Sequence, residues 1–263
     1  MNFRQFLERD DLPTIHQFHN DAEQVFNDLV SYYEDYWESN FPKRTRGQDD
    51  NDYIREIRRR SEQWQYKIPQ IYGHKVIIQA PSKNNWAGKA GQDLKGEMSG
   101  TSIIIYLPIY VSFNNDVKWY SNAYISAWID RKPRKAANAK REAKISYAKF
   151  MSQLKQQKDE IIDILFHEIS HAARHSHIKD PTIPAHLATQ GRILRTYVNN
   201  PPELDAHFLE KAFRVLKEKQ PYNSFSDFMT KFNELIGNTH AYFWTPKNKK
   251  KIISRLYQLY SQL

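Results

Sequence analysis

The sequence predicts an α+β protein that is mainly helical and carries a small, mostly antiparallel sheet. Apolar residues recur at three- and four-residue spacings near both ends of the chain, which is the periodicity of amphipathic helices. Between these regions lie short β-branched runs bounded by Gly, Pro, Ser and Asn, which are typical of strands. The chain has 263 residues, 40% of them hydrophobic, so it is long enough to bury a core of its own.

Two helices are predicted at the start of the chain. The first runs from Pro13 to Ser39, and the second runs from Asp52 to Gln65 after a polar break. The second contains the basic run Ile54–Arg60, which can contact phosphate but is more simply a solvated helix face, because no aromatic or Gly-rich motif accompanies it. Residues 1–70 are therefore predicted to form an N-terminal helical region.

The middle of the chain predicts the sheet. The runs His74–Pro81 and Thr101–Val111 are read as strands, and Asn122–Asp130 as a third strand with imperfect alternation. Lys83–Gly100 carries four of the eight Gly residues and is predicted to be a loop or flap. The charged, Ala-rich stretch 131–144 is either a linker or the exposed start of a long helix.

The remaining helices are predicted after the sheet. The helical pattern returns at Ser146–His175, and after a Pro-containing break a further helix begins near Asn199, where Asn precedes Pro. Amphipathic segments follow at residues 224–237 and 246–263, the second with a basic start. Residues 71–263 are predicted to form one domain with the functional site.

The charge and the composition limit the classes of partner. The net charge of +9 is attractive to nucleic acid, acidic proteins or anionic lipid, although solvated Lys and Arg faces explain it as well. The positive charge is concentrated at Lys132–Lys158 and Lys247–Lys251. Without Cys, a metal site must use His, Asp or Glu. With neither a signal peptide nor a membrane-spanning run, we expect a cytoplasmic protein without a membrane partner.

The clearest chemical motif is H-E-x-x-H at residues 167–171. On a helix, His167 and His171 lie one turn apart on the same face, so both imidazoles can bind one metal ion. Glu168 lies about 100° around the helix from His167. There its carboxylate can accept a proton from water without being a ligand, so the pattern predicts a zinc site with Glu168 as general base.

A catalytic zinc site needs a third protein ligand. The metzincin pattern would place Gly where Arg174 stands, so that class is disfavoured although His177 occupies its third-His position. Glu203, in the first turn of the next predicted helix, is the preferred third ligand, and Ala206 lets the two helices approach closely. The open alternatives are His175, His177, His186 and Asp205.

Further side chains are candidates for supporting roles. Asp163, one turn before His167, and His207, one turn after Glu203, are placed to orient a ligand. Tyr197 is the preferred oxyanion donor because it is close to Glu203 in the sequence. The other candidates for this role are His207, Arg195 and Tyr242.

The motif HEISH, followed by Pro201, Glu203 and Ala206, resembles the gluzincin-type minimal zincins and is similar to small zincin-like proteins of tailed phages. The resemblance covers about Asp159–Ala212, with a weaker likeness in the basic C-terminal helix. Gluzincins have an Asp four residues after the third ligand, where this chain has His207. The resemblance implies a zincin-like fold in which the sheet lies over the HExxH helix.

The function expected from the motif and the resemblance is zinc-dependent hydrolysis of peptide bonds in a polypeptide substrate. One alternative is a non-catalytic structural or interaction protein stabilised by zinc, for example a virion component. Another is a DNA-associated protease with weak electrostatic contact to nucleic acid. The sequence does not predict the oligomeric state.

Overall fold

The computed structural model describes residues 11–81, 95–175, 199–217, 224–231, 234 and 244–261. It is mainly helical with one small sheet, which confirms the α+β class. The elements are α1 Asp11–Asn40, α2 Asp50–Trp64, β1 Gln70–Ile71, β2 His74–Gln79, β3 Lys95–Ser99, β4 Ser102–Tyr106, α3 Tyr110–Ser112, α4 Lys118–Ile129, α5 Pro133–Gln156, α6 Lys158–His175, α7 Pro201–Lys217 and α8 Pro246–Tyr260.

The sheet has four strands in the order β1-β2-β4-β3. The outer pairs, β1 with β2 and β3 with β4, are antiparallel, whereas the central pair is parallel with Val76 opposite Ile103. The sheet is therefore mixed. The buried run Ile103–Leu107 explains the central position of β4, since a strand covered on both faces is apolar throughout.

Two of the three predicted strands are confirmed in part. The run His74–Pro81 contains β2, and Thr101–Val111 contains β4, which ends at Tyr106. The chain turns at Pro108, which has no N–H to donate to a sheet, and helix α3 follows. Within the predicted loop Lys83–Gly100, residues 95–99 form β3, and residues 82–94 lie outside the described part of the chain.

The third predicted strand, Asn122–Asp130, is wrong, because these residues belong mainly to helix α4. Ser121, Tyr124 and Ala127 are buried at a spacing of three, so the segment buries one helical face. The Ser121 hydroxyl also donates to the Val117 carbonyl oxygen one turn earlier, at 2.8 Å. The Ala-rich stretch 131–144 lies almost entirely in the long helix α5, which begins at Pro133 and favours the helical alternative over the linker.

The chain divides into two compact units, and each is made of several chain segments. One contains Met1–Glu23, Ser82–Ala90 and Asp163–Leu263, and the other contains Gln24–Pro81 and Gly91–Ile162. The HExxH motif belongs to the first unit and the sheet to the second. The division predicted at residue 70 and the placement of the sheet over the motif helix stay predictions.

Each unit has its own buried aromatic side chains. In the first, Phe166 stacks on Phe213 with ring centroids 5.3 Å apart and meets the edge of Phe18 at 6.1 Å. In the second, Phe113 stacks on Phe150 at 4.3 Å, and Tyr33 contacts both rings edge-on. Among the described helices, none is both long and apolar enough to cross a membrane.

Candidate metal centre

Helix α6 carries the HExxH motif and is anchored by its apolar side. Asp159 and Glu160 lie in its first turn, where negative charge stabilises the positive end of the helix dipole. Leu165, Phe166 and Ile169 are fully buried. Because these side chains fix the rotation of the helix, the side chains of the motif are held toward the interior of the unit.

Helix α7 supplies the facing carboxylates. Pro201 occupies the first position of the helix. The first turn is closed by a hydrogen bond of 2.9 Å from the Leu204 N–H to the carbonyl oxygen of Asn200. Ala206 and Ala212 are fully buried, so small side chains lie where the helix packs. The polar residues of this helix at the site are spaced four and three apart, which places them on one face: Glu203, His207 and Glu210.

Three predicted ligands come together between these helices. The Nε2 atoms of His167 and His171 lie 3.1 Å apart. Glu203 Oε1 lies 3.5 Å from His171 Nε2, and Glu203 Oε2 lies 3.6 Å from His167 Nε2. His171 and Glu203 are buried, with exposed fractions of 4% and 5%. The structure thus brings two imidazoles and one carboxylate to a single point.

These distances fit a tetrahedral metal ion. Zinc bonds to His and Glu of about 2.0–2.1 Å imply ligand atoms about 3.3 Å apart in a tetrahedron. The observed separations, 3.1, 3.5 and 3.6 Å, lie around that value, and the two that involve Glu203 are measured to different oxygens of its carboxylate. Glu203 Oε2 is buried and accepts no hydrogen bond from the described residues, and a bound cation would satisfy it. His167, His171 and Glu203 therefore fit a zinc ion.

The described residues supply three donor side chains to this point. Among the described residues, the cluster whose donor atoms all lie within 4.8 Å of one another contains His167, His171 and Glu203 and no fourth member. Glu168 is 7% exposed and is not part of that cluster. Three protein ligands with an adjacent carboxylate outside the set is the arrangement typical of catalytic zinc.

The sequence analysis missed one carboxylate, Glu210. Its Oε2 lies 3.4 Å from Nδ1 of His167, the ring nitrogen on the far side from the metal-binding Nε2. A carboxylate at this position holds the ring in the orientation and tautomer that present Nε2 to a metal. The available signal was spacing: Glu210 is seven residues after Glu203, two turns along the same helix face.

A second group, His167, His207 and Glu210, also brings three donor atoms within 4.8 Å of one another. The charges around it oppose a second cation. Glu210 Oε1 lies 2.6 Å from Lys211 Nζ and 3.1 Å from Arg214 Nη2, so two positive groups already compensate this carboxylate. We therefore assign Glu210 to the support of His167.

Asp163 belongs to the same group of paired charges as Glu210, through a shared contact with Arg214. Its Oδ2 is 2.7 Å from Arg214 Nη2, and Arg214 in turn contacts Glu210. Asp163 is thus linked to His167 through Arg214 and Glu210, and its role in orienting a ligand stays a prediction.

His207 lies between the two carboxylates. Its Nε2 is 4.0 Å from Glu203 Oε2, its Nδ1 is 3.7 Å from Glu210 Oε2, and its ring centroid is 4.6 Å from that of His167. Burial lowers the pKa of His207 despite the nearby Glu210, and the neighbouring His167 lowers it further. A neutral His207 has a single N–H and can therefore donate to only one of the two carboxylates.

The buried carboxylates control the protonation of the ligands before metal binds. Burial alone would lower the pKa of His167, but the nearby carboxylates of Glu203 and Glu210 favour its charged form and raise that pKa to about 10. Burial opposes ionisation of Glu203, yet His167 and His171 hold its pKa well below the usual range. Without metal, His167 is therefore in its charged form at neutral pH, with both ring nitrogens protonated. A metal ion must displace one of these protons.

The C-terminal helix α8 braces helix α7. The guanidinium of Arg255 lies 2.6 Å from Asp205 and 4.1 Å from the ring centroid of Phe208, and Arg255 is 1% exposed. Asn199 Oδ1 accepts from the backbone N–H of Thr245 at 2.8 Å and from Asn248 Nδ2 at 2.9 Å. Asp205, an alternative third ligand in the sequence analysis, is therefore engaged by Arg255.

Several predicted candidates cannot be placed. Tyr197, the preferred oxyanion donor, lies outside the described residues, as do the alternatives for that role and for the third ligand: His177, His186, Arg195 and Tyr242. His175 ends helix α6, but its side chain is also outside the described part of the structure.

No family model, curated protein or solved structure matches the chain.

Proposed function

We propose that the chain is a zinc-dependent metallopeptidase whose metal is held by His167, His171 and Glu203. The observation that carries the proposal is the meeting of these three side chains, whose donor atoms lie within 4.8 Å of one another, with Glu168 next to a ligand in sequence and outside the donor set. This combination is the donor set of a hydrolytic zinc site.

In the proposed reaction, His167, His171 and Glu203 would hold a zinc ion, which would lower the pKa of water and polarise the scissile carbonyl. Glu168 accepts the proton from the attacking water and passes it to the leaving amine nitrogen as the C–N bond breaks. Glu203, His167 and His171 would provide the three donor atoms for the metal. Glu210 holds the His167 ring so that Nε2 faces the shared point.

The first experiment measures zinc in the purified protein and in the variant Glu203→Ala. We expect the variant to bind zinc far more weakly, because one of three ligands is lost and two imidazoles remain. Glu160→Ala, an exposed position in the first turn of α6, is the matched control and keeps the affinity of the parent. If Glu203→Ala and the parent bind zinc equally, Glu203 is not a ligand.

The second experiment separates metal binding from hydrolysis. The variant Glu168→Gln keeps the size of the side chain and removes its basicity, so zinc content should be unchanged. Cleavage of a mixture of unfolded polypeptides, followed by mass spectrometry, should fall by about 10²–10⁴-fold. A parent protein that holds zinc and produces no new peptide termini would refute the peptidase and leave a zinc-stabilised structural site.

A further inference from the structure

One segment of the chain has a large excess of positive charge. Residues 118–158, which contain helices α4 and α5, carry 11 Lys and Arg residues and 2 Asp and Glu residues, giving 11 − 2 = +9. The whole chain has 39 basic and 30 acidic residues, so the rest of it has 39 − 11 = 28 and 30 − 2 = 28 and is neutral. The net charge therefore belongs to this segment.

Helix α5 presents much of this charge on one face. Ala136, Ala139, Ala143 and Phe150 are among the residues on its buried side. Arg134, Arg141 and Lys149 are exposed on the opposite side, within about 80° of one another at 100° per residue. At 1.5 Å per residue they extend over about 22 Å, a length that covers several phosphates of a nucleic acid.

Most cations on this helix are not compensated by nearby acids. Arg134, Lys135, Lys144 and Lys149 make no ion pair with any residue that the structure describes, whereas Arg141 contacts only its exposed neighbour Glu142, at 3.1 Å. The first turn of α5 contains no acidic residue although it carries positive side chains, which is unfavourable at that end of a helix dipole. A bound polyanion would supply the missing negative charge.

The basic run on helix α2 is different. Arg55 contacts Asp52 at 2.7 Å, Arg60 contacts Glu56, and Arg59 donates to the side chain of Gln63 at 3.0 Å. Acids and amides of the same helix thus engage these arginines. Helix α2 has 4 Lys and Arg residues and helix α5 has 7, and helix α5 also has the larger uncompensated charge.

We propose that the exposed basic face of helix α5, which consists of Arg134, Lys135, Arg141, Lys144 and Lys149, binds the phosphate backbone of nucleic acid. Phosphates complement closely spaced Lys and Arg side chains without requiring any particular base sequence. A membrane is the less suitable partner, because the helix already buries its apolar side and Ile145, 60% exposed, is the large apolar residue on the outer face.

The test uses fluorescence anisotropy of the full chain with a labelled 20-base-pair DNA duplex, with the matching single strand, and with phosphatidylserine vesicles as a separate probe. Three neutralised phosphates predict an affinity that falls about 40-fold between 50 and 200 mM salt. The triple variant Arg134→Glu, Arg141→Glu, Lys149→Glu should lose at least about tenfold in affinity and show a shallower salt dependence.

The matched control is Arg55→Glu, Arg58→Glu, Arg59→Glu on helix α2, which makes the same change in net charge at three exposed positions of another helix. It should retain most of the affinity of the parent. Equal losses in the two triple variants would show that total charge alone drives binding and would overturn the proposal. Absence of binding to both DNA probes at 50 mM salt, or binding to vesicles alone, would overturn it as well.

Discussion

Two charged regions of this molecule are built in opposite ways. Near the proposed metal site, buried charged side chains such as Asp205, Glu210 and Arg255 face a partner of opposite charge, as Glu210 does with Lys211 and Arg214. On helix α5, cations lie in solvent with few acids nearby. In the first region each charge is needed by its neighbours, so removing one should be costly. In the second, removing one of the unpaired cations should not destabilise the protein when no ligand is bound.

The largest effect is expected at the buried pair of Arg255 and Asp205. The variant Asp205→Asn leaves the guanidinium of Arg255 without its carboxylate in a site that excludes water, and should lower the free energy of unfolding by about 3–5 kcal/mol. Urea unfolding of the metal-free protein measures it. The double variant Arg255→Met, Asp205→Leu removes both charges and should recover most of the loss. If the single variant is as stable as the parent, the pair does not brace helix α7.

A change at Glu210 tests whether the buried, paired charges near the proposed metal site support metal binding. The variant Glu210→Gln keeps the size of the side chain but loses the charge that faces His167 Nδ1, so zinc affinity should fall about 10–100-fold. Competition with a chelator measures this in the folded protein. Glu142→Gln, an exposed site on helix α5, should leave the affinity unchanged. A change of less than about twofold for Glu210→Gln would contradict the assigned role.

The charged form of His167 should make both the stability of the metal-free fold and its zinc affinity depend on pH. Its pKa rises from 6.5 to about 10 in the metal-free fold, so this group stabilises the fold fully below pH 6.5 and progressively less as pH rises toward 10. Zinc must displace that proton, so zinc affinity should increase about tenfold per pH unit within this window. Calorimetry in buffers of different ionisation enthalpy should detect release of about one proton at pH 7. Binding without proton release would contradict a protonated His167.

The parts of the site that depend on local spacing could be predicted from the sequence. His167 and His171 lie four residues apart, and a helix alone brings them to one face. Glu203 could be predicted as a ligand because it lies in the first turn of the next helix, and Ala206 follows about one turn later. Spacing places Glu210 on the same helix face as Glu203, but its contact with Nδ1 of His167 depends on how two helices pack, and it was therefore missed.

The fold shows the same limit. The two β-branched runs predicted strands β2 and β4 because their side chains favour a pleated, buried surface. Asn122–Asp130 was misassigned because Tyr, Ala, Ser and Trp tolerate either state, so the packing of Tyr124 and Ala127 decided for a helix. Residues 95–99 form a strand although Lys, Gly and Glu disfavour it, because β4 provides an adjacent edge.

The smallest effect should have the opposite sign and lies on helix α5. Arg134 and Lys135 place positive charge at the positive end of the helix dipole, so Arg134→Glu should stabilise the free protein by about 0.3–1 kcal/mol. Lys155→Glu is the control at the other end of the same helix: it removes a favourable cation and its contact with Glu34 at 3.1 Å, so it should lower the melting temperature. Thermal unfolding of both variants without nucleic acid measures the difference. If Arg134→Glu also destabilises the protein, the cation is compensated within the fold, and the contrast between the two charged regions is lost.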